Sequence, residues 1–233
     1  MQIVIKGISS MATRQLLAEL AAAFEKQSGC VVSFESVGGV DAVKRIQAGE
    51  VFDLAVLASD AIDKLMATGN IRAGSRVDVV RSGVAVAVRA GAARPDISSE
   101  DAVRQAVRAA RSISYSTGPS GVALVKLFQR WGIANEIQSR MVQAPPGVPV
   151  ASLVASGQVE LGFQQLSELL HIEGVTVAGH LPPAIQITTT FSAGVPTRAS
   201  ADSSRAEQVR ELLDFMTSPL AAESKRRHGM EPA

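Results

Sequence analysis

The sequence predicts an α/β protein built around mostly parallel sheets. Short runs rich in β-branched residues, such as Val84 to Val88, alternate with segments whose apolar residues recur at helical spacing. Gly and Ser residues separate the two kinds of segment. Because parallel strands need crossover helices between them, this alternation predicts parallel pairing. A chain of 233 residues, 46% of them hydrophobic, can hold one large domain or two smaller lobes.

The first half of the chain shows the alternation most regularly. Leu16, Leu17, Leu20 and Phe24 predict a helix from Met11 to Lys26. Ser98 or Ser99, followed by acidic residues, predicts the cap of a later helix. The other predicted elements of this half are strands over 2–6, 31–36, 52–57, 83–88 and 112–116, and helices over 40–48, 61–68, 99–110 and 121–131.

The second half continues the pattern and closes with two helices. The predicted elements are helices over 150–155 and 166–170, strands over 160–163 and 175–178, an extended segment over 185–195, and helices over 204–216 and 219–228. The Pro-rich segment 145–149 interrupts them, and we interpret it as a rigid connector in preference to a binding loop.

Composition excludes several classes of partner. The net charge is +1 and aromatic residues make up 4%, so the chain has neither a strong positive field nor a stacking surface for nucleic acid. No run approaches the length of a membrane span, and we expect no membrane insertion. No leader is apparent. We therefore expect a periplasmic protein if a signal peptide was removed, and a cytoplasmic one if Met1 is the natural start.

Polar residues cluster where strands pass into helices, and the carboxyl ends of parallel strands are where ligands bind. The candidates are Ser9 and Ser10 after the first strand, Gly38 and Gly39 after the second, Ser59 after the third, Ser116, Thr117, Ser120 and Gly121 after the fifth, and Gln164 and Gln165 after the strand that ends at Phe163. Helix-start N–H groups and hydroxyls together can hold an anion. N-capping explains the first pair equally well, and a tight turn is the simpler explanation of the glycines.

Catalytic and metal-binding patterns are sparse. His171, His180 and His228 are not at metal-ligand spacings, and we interpret them as surface or loop histidines. Cys30 has no nearby partner and is interpreted as a packing residue. No nucleotide-binding signature is present, so we predict no metal and no cofactor.

The order of these motifs resembles the molybdate-binding family of periplasmic solute-binding proteins over nearly the whole chain. The motifs that carry the resemblance are Gly7 to Met11, Ala48 to Leu54, Ala58-Ser59-Asp60, Pro119-Ser120-Gly121, Ser218 to Ala222 and Gly229-Met230. The resemblance implies a type 2 periplasmic-binding-protein-like fold with two lobes, each a mostly parallel sheet flanked by helices. The lobes would comprise residues 1–82 with 191–233, and 83–190, joined by crossing strands near 82–88 and 187–195, with the ligand in the cleft between them.

The resemblance also implies how the ligand is held. Hydroxyls and N–H groups would bind an oxyanion, with Ser10 at the first hydroxyl position and Ser120-Gly121 at another donor turn. This sequence departs from the family at two points, where Gly38-Gly39 replaces a Ser-rich loop and Gln165 replaces a Tyr. Both changes remove a hydroxyl, which favours a larger ligand with carboxylate or amide groups over molybdate.

Three functions follow from these expectations. The first is a monomeric solute-binding protein that captures a small anion, with an ABC transporter permease as a further partner. The second is a cofactor-independent isomerase of an unsaturated carboxylate, similar to aconitate isomerase, whose base would come from Glu35, Asp41 or Tyr115. The third is a cytosolic ligand sensor, which ranks last because no helix-turn-helix region is apparent.

Overall fold

A computed structural model describes residues 3–145, 147–170 and 172–233 of the chain. These residues form two compact units: one runs up to Arg81 and resumes over Thr190–Ala233, and the other comprises Ser82–Thr189. The chain leaves the first unit within one long strand and returns to it within another.

The first unit begins with three βα repeats. Its elements up to the first crossing are β1 (Val4–Ser10), α1 (Arg14–Ser28), β2 (Val31–Val37), α2 (Gly39–Gln47), β3 (Leu54–Ala58), α3 (Ser59–Ala67) and the crossing strand β4 (Val77–Arg89). Strand β1 lies between β2 and β3 and is parallel to both. The prediction of parallel βαβ units is therefore confirmed for this part of the chain.

The second unit has a sheet of the same kind. After β4 it contains α4 (Glu100–Ala109), β5 (Ile113–Tyr115), α5 (Pro119–Arg130), α6 (Ala134–Ile137), β6 (Met141–Gln143), α7 (Val150–Ala155), β7 (Leu161–Gln165), α8 (Leu166–Leu169) and β8 (Val175–His180). Strand β5 is parallel to both β6 and β7, while β4 pairs antiparallel with β7 and β8.

The rest of the chain belongs mainly to the first unit. It contains β9 (Thr188–Gly194), α9 (Ser203–Thr217), α10 (Ala222–Arg227) and β10 (Met230–Pro232). Strand β9 closes the sheet of that unit by pairing antiparallel with β3. No helix of the described segments is long and apolar enough to cross a bilayer.

Both faces of the first sheet are covered by helices. Along β3, Leu54 and Val56 point into one apolar cluster with Leu20 of α1, while Ala55 and Leu57 point into another that contains residues of α2 and α3. Successive strand residues face opposite sides, so a strand buried on both faces is apolar throughout, as β3 is. These helices fix the positions of the three strand ends.

A close backbone approach explains one glycine of β1. A Cβ on Gly7 would lie 2.3 Å from Cε1 of Phe34 on β2, so only glycine leaves room for that ring. The contact matters for the site because it holds the final residues of β1 against β2.

The predicted boundaries differ from the observed ones mainly at strand ends. Strand β1 continues through Ser9 and Ser10, and β7 continues through Gln164 and Gln165, although we expected all four residues to follow their strands. Strand β4 starts at Val77, earlier than predicted, because backbone pairing extends it beyond the apolar run. Helix α4 is capped as predicted, with Oγ of Ser99 accepting from the Ala102 N–H at 3.1 Å.

Other differences concern short elements. The predicted extended segment 185–195 begins with a 3₁₀ turn over Pro183–Ile185, and the last predicted helix begins as a 3₁₀ turn over Pro219–Ala221. Three elements were missed: α6, β6 and β10 are only three or four residues long, too short for a periodic pattern. Gln2 of the first predicted strand, Pro146 of the Pro-rich segment and His171 lie outside the described residues.

Candidate functional site

Three strands of the first unit end side by side. Because β1, β2 and β3 are parallel neighbours, their final residues Ser10, Val37 and Ala58 lie at one edge of the sheet. A helical segment begins within two residues of each end. The N–H groups of several helix starts therefore collect at this edge, which is an arrangement suited to anions.

Ser9 and Ser10 differ in accessibility. Ser9 is fully buried, and its hydroxyl shares a hydrogen bond of 2.8 Å with that of Ser36 on β2. Ser10 is partly exposed, and its Oγ accepts a long hydrogen bond of 3.4 Å from the Ala12 N–H. That contact leaves the Ser10 hydroxyl proton available, so Ser10 is the better placed of the two to meet a ligand, while Ser9 has a structural partner.

Helices α2 and α3 begin without a side-chain cap. The residues before them, Gly38 and Ala58, form no capping hydrogen bond, and Ser59 is the first residue of α3. Gly38 has φ of −56°, and a Cβ on Gly39 would meet no atom within 4 Å. Neither backbone strain nor crowding explains these glycines, so the tight-turn interpretation finds no support in the conformation.

The turn before α5 is the corresponding feature of the second unit. Oγ of Ser116 and Oγ of Ser120 lie 3.4 Å apart, Thr117 is exposed between them, and Gly118 caps α5 without a side chain. A Cβ on Gly121 would lie 1.8 Å from the Ser116 carbonyl oxygen, and the Gly121 N–H already donates to the Gly118 carbonyl at 3.0 Å. The glycine therefore serves the packing of the turn. The donors that remain there are the Ser120 N–H, the Thr117 hydroxyl and one of the two hydroxyls that Ser116 and Ser120 share in their hydrogen bond.

Gln164 and Gln165 end strand β7 and are 4% and 3% exposed. Gln165 Nε2 donates to Oγ1 of Thr189 at 2.8 Å, and Gln164 Nε2 donates to Oε1 of Glu168 at 2.8 Å. Both Oε1 atoms are buried without a partner among the described residues. Each amide thus has one buried polar atom left for a ligand or a water molecule, since such atoms are costly to leave unpaired.

Glu168 on α8 is a functional candidate that our sequence analysis missed. Its side chain is partly buried, and burial raises the pKa of its carboxyl to about 7, although the hydrogen bond from Gln164 opposes the shift. A carboxyl that titrates near neutrality can both accept and return a proton. The only sequence signal was an acidic residue three positions after Gln165, which is an ordinary place for a helix-start acid.

The acid–base candidates named from the sequence are less suitable. Arg45 forms a bidentate ion pair with Glu35, at 2.5 and 2.9 Å, and a second one with Glu50. The hydrogen bonds from Arg45 lower the pKa of Glu35, which makes it a weak base. Asp41 lies in the first turn of α2, and Tyr115 ends β5, next to the turn before α5.

The cysteine and the described histidines have structural partners. Cys30 is buried, its thiol donates to the Ile3 carbonyl at 3.6 Å, and burial raises its thiol pKa, so its interpretation as a packing residue is confirmed. His228 was predicted to be a surface or loop histidine, but it has a side-chain partner, because its Nε2 lies 2.8 Å from Oε2 of Glu19. His180 is exposed and lies 3.3 Å from Nε2 of Gln186.

A cavity of about 220 Å³ lies elsewhere in the first unit. Its lining includes Asp53, Arg72, Arg205 and Arg210. Asp53 precedes β3, so the cavity is at the amino end of that strand, and none of the candidate residues contributes to it. The buried Asp53 accepts from the Lys6 N–H at 2.9 Å and lies 3.7 Å from Arg205, which accounts for its burial.

The fold is that of the type 2 periplasmic binding proteins. The molybdate-binding protein of Azotobacter vinelandii has the same fold, with a TM-score of 0.79 and 22% identity over 98% of this chain and 99% of that one. Residues 5–231 match the family of bacterial extracellular solute-binding proteins, and the chain belongs to that family. The resemblance inferred from the motifs is confirmed.

Two characterised relatives are similar over most of their lengths. An aconitate isomerase of a Pseudomonas species is 35% identical over 233 residues, covering 97% of this chain and 86% of the relative. The molybdate-binding protein ModA of Azotobacter vinelandii is 26% identical over 224 residues, covering 91% and 83%. The chain is thus a divergent member of the group that contains the molybdate-binding proteins.

Proposed function

We propose that this protein binds a small organic carboxylate at helix starts that follow the ends of its parallel strands. The observation that carries the proposal is that α2, α3 and α5 each begin at the carboxyl end of a parallel strand with no side-chain cap. The first N–H groups of α2 and α3 have no partner within the helix and can bind a carboxylate. In α5 only the Ser120 N–H remains for this role, because Pro119 has no N–H and the Gly121 N–H donates to the Gly118 carbonyl. Hydroxyls of Ser10 and Ser120 lie beside these helix starts and add neutral donors.

The residues at the site favour an organic acid over a small oxyanion. Gly38 and Gly39 bring no hydroxyl and leave open space at the start of α2. Gln165 leaves its Oε1 without a partner, and this oxygen can accept a hydrogen bond from a hydroxyl of a larger ligand or from a water molecule. A tetrahedral oxyanion needs a closed shell of donors, whereas a larger acid fills the space and spreads its charge over several carboxylates. The 35% identical relative is named for aconitate, which is an acid of this kind.

Calorimetric titration tests the proposal. We expect trans-aconitate, citrate or another di- or tricarboxylate to bind at least 100-fold more tightly than molybdate, tungstate or sulfate. Ser10→Ala and Ser120→Ala should each weaken binding about 10- to 150-fold, since a lost hydrogen bond to a charged group costs about 1.5–3 kcal/mol. Ser203→Ala removes an exposed hydroxyl at the start of α9 and is the matched control, with unchanged affinity. Tighter binding of molybdate, or no binding by any of these anions, would overturn the proposal.

The isomerase is a second candidate, and Glu168 favours it. A shift of a proton within an unsaturated carboxylate needs a group that titrates near neutral pH, and the Glu168 carboxyl has this property. Incubating the protein with trans-aconitate and following cis-aconitate by chromatography separates the two functions. A protein that binds the acid and leaves it unchanged after many hours is a binding protein alone.

A transport role rests on a partner permease. Deleting the gene should abolish uptake of the bound acid if the protein serves an ABC-type transporter, and should leave uptake unchanged if it serves only conversion of that acid. Restoring the gene with the Ser203→Ala variant provides the matched control.

A further inference from the structure

The segment 164–168 collects more unsatisfied polar groups than any other five consecutive described residues. Gln164 Oε1, Gln165 Oε1 and Ser167 Oγ are all buried, and each lacks a hydrogen-bond partner among the residues that the structure describes. Glu168 lies at the end of this segment and is bonded to Gln164. Buried polar atoms without partners are uncommon in folded proteins, and a cluster of them indicates a place for a ligand or bound water.

One of the two carboxyl oxygens of Glu168 has a hydrogen-bond donor, and the other has none among the described residues. Its Oε1 accepts from Gln164 Nε2 at 2.8 Å, while Oε2 has no hydrogen-bond partner within the described part of the chain. Gln164 is anchored in β7, where it lies opposite Ala85 of β4. The carboxyl is therefore oriented from a rigid strand and can exchange a proton at Oε2.

The environment of Glu168 suits a group that gains and loses a proton. Burial is the main cause of its raised pKa of about 7, the Gln164 amide opposes it, and no charged side chain of the described residues contributes. Around Glu168, α8 carries no other titratable residue and β7 carries none, while β8, which also packs against α8, carries only His180.

We propose that Glu168 is the catalytic residue that removes a proton from a bound unsaturated carboxylate and returns it to a different carbon, with Gln164 as its positioning residue. This inference rests on the isomerase candidate of the proposed function. The substrate class is an acid with a methylene group between a carboxylate and a carbon–carbon double bond.

The reaction balances without a cofactor. Glu168 Oε2 takes a proton from the methylene carbon, and the C–H electron pair spreads over the adjacent double bond and its carboxylate. The protonated Glu168 then gives the proton to the far carbon of the three-carbon unit, and the double bond moves by one position. One C–H bond breaks and another forms, so no oxidant or reductant is consumed.

The test uses the full-length chain in ²H₂O with trans-aconitate. Proton NMR follows both cis-aconitate formation and exchange of the methylene protons, and calorimetry measures affinity in the same buffer. We expect Glu168→Gln to bind the acid within 3-fold of the wild type and to lose 10³-fold or more in kcat, with exchange lost as well. Glu173→Gln changes an exposed carboxyl five residues away and should leave kcat and affinity unchanged.

A second set of measurements separates catalysis from folding. Carbon-13 NMR of the side-chain carboxyls, assigned with Glu168→Gln, should show one resonance that titrates near pH 7, and Gln164→Leu should move that midpoint upward. Glu168→Asp should retain binding and lose 10- to 100-fold in kcat, because its carboxyl is one methylene shorter.

The other possible results contradict either the catalytic role of Glu168 or the binding of a carboxylate. A wild-type protein that binds the acid without conversion or exchange overturns the role of Glu168 and leaves the binding function intact. Conversion by Glu168→Gln at a tenth of the wild-type rate or more overturns only the role of Glu168. If Glu168→Gln loses binding while Glu168→Asp keeps wild-type binding and kcat, Glu168 binds the ligand and carries no proton. If no carboxylate binds the wild type, the proposed function fails first.

Discussion

Replacing Glu168 by glutamine should change how stability depends on pH. In the unfolded chain this carboxyl loses its proton near its ordinary pKa of about 4.5, whereas in the folded protein burial raises its pKa to about 7. At pH values between about 4.5 and 7, the Glu168 carboxyl is therefore ionised in the unfolded chain and protonated in the folded protein. The stabilising contribution of Glu168 is therefore complete below pH 4.5 and is lost as the pH rises through 7.

The size of this effect follows from the shift. A difference of one pKa unit corresponds to about 1.36 kcal/mol, so a rise from 4.5 to about 7 removes about 3 kcal/mol from the free energy of unfolding across this interval. Glutamine has nearly the same shape, keeps an oxygen that can accept from Gln164 Nε2, and does not titrate. We expect Glu168→Gln to match the wild type at pH 4 and to be about 3 kcal/mol more stable at pH 8.

Urea unfolding between pH 4 and pH 8.5 measures this difference. The single tryptophan, Trp131, lies in the same unit as Glu168, so its fluorescence reports the unfolding of that unit. Gln164→Leu removes the hydrogen bond that opposes the rise in the Glu168 pKa. In this variant the free energy of unfolding should therefore continue to fall to a higher pH than in the wild type. A stability difference between Glu168→Gln and the wild type that stays constant within 1 kcal/mol over the whole range would show that folding does not raise the pKa of Glu168.

Three further predictions concern packing, the turns and acid stability. Phe128 is fully buried with its ring centroid 6.0 Å from that of Phe163, so Phe128→Ala should cost about 3–5 kcal/mol in urea unfolding followed by circular dichroism; a loss below 1 kcal/mol would contradict this packing. Gly121→Ala should lower the melting temperature because its Cβ would overlap a carbonyl oxygen, whereas Gly39→Ala should leave melting unchanged and weaken anion binding at the start of α2; equal melting temperatures for the two variants would show that the overlap is relieved. Hydrogen bonds from Ser224, Arg227 and His228 lower the pKa of Glu19 to about 2, so its contribution is present above pH 4.5 and lost as the pH falls through 2; Glu19→Gln should therefore flatten the acid side of the stability curve, and an unchanged curve would exclude this role.

Much of the first unit could be predicted from local pattern. Leu16, Leu17 and Leu20 face the sheet as their helical spacing predicted, and β3 is buried on both faces. The ends of the strands were harder to predict, because β1 and β7 continue through polar residues that pair by backbone hydrogen bonds. Hydrophobic pattern cannot show where such pairing stops, since backbone groups of polar and apolar residues pair equally well.

The positions of the candidate residues in the fold were predicted in outline and corrected in detail, while their role in binding stays a prediction. The helix starts after β2, β3 and β5 lie where the motif order indicated, at carboxyl ends of parallel strands. The sequence could not distinguish the buried Ser9 from the accessible Ser10, nor show that Gly121 is needed for packing. Burial and contacts between distant residues decide these roles, and neither is visible in a local pattern.

The class of fold, the order of strands and helices, and the resemblance to the molybdate-binding family could all be inferred from the amino-acid sequence without a structure. These depend on periodicity and on motif order, which are properties of the chain read in one dimension. The pKa values of the acidic side chains, in contrast, depend on the folded structure. Glu35 pairs with Arg45 and becomes a weaker base, while Glu168 loses water on folding and meets an amide without a countercharge. A pKa depends on solvation and on charges brought close by folding, so identical side chains acquire different chemistry in the folded protein.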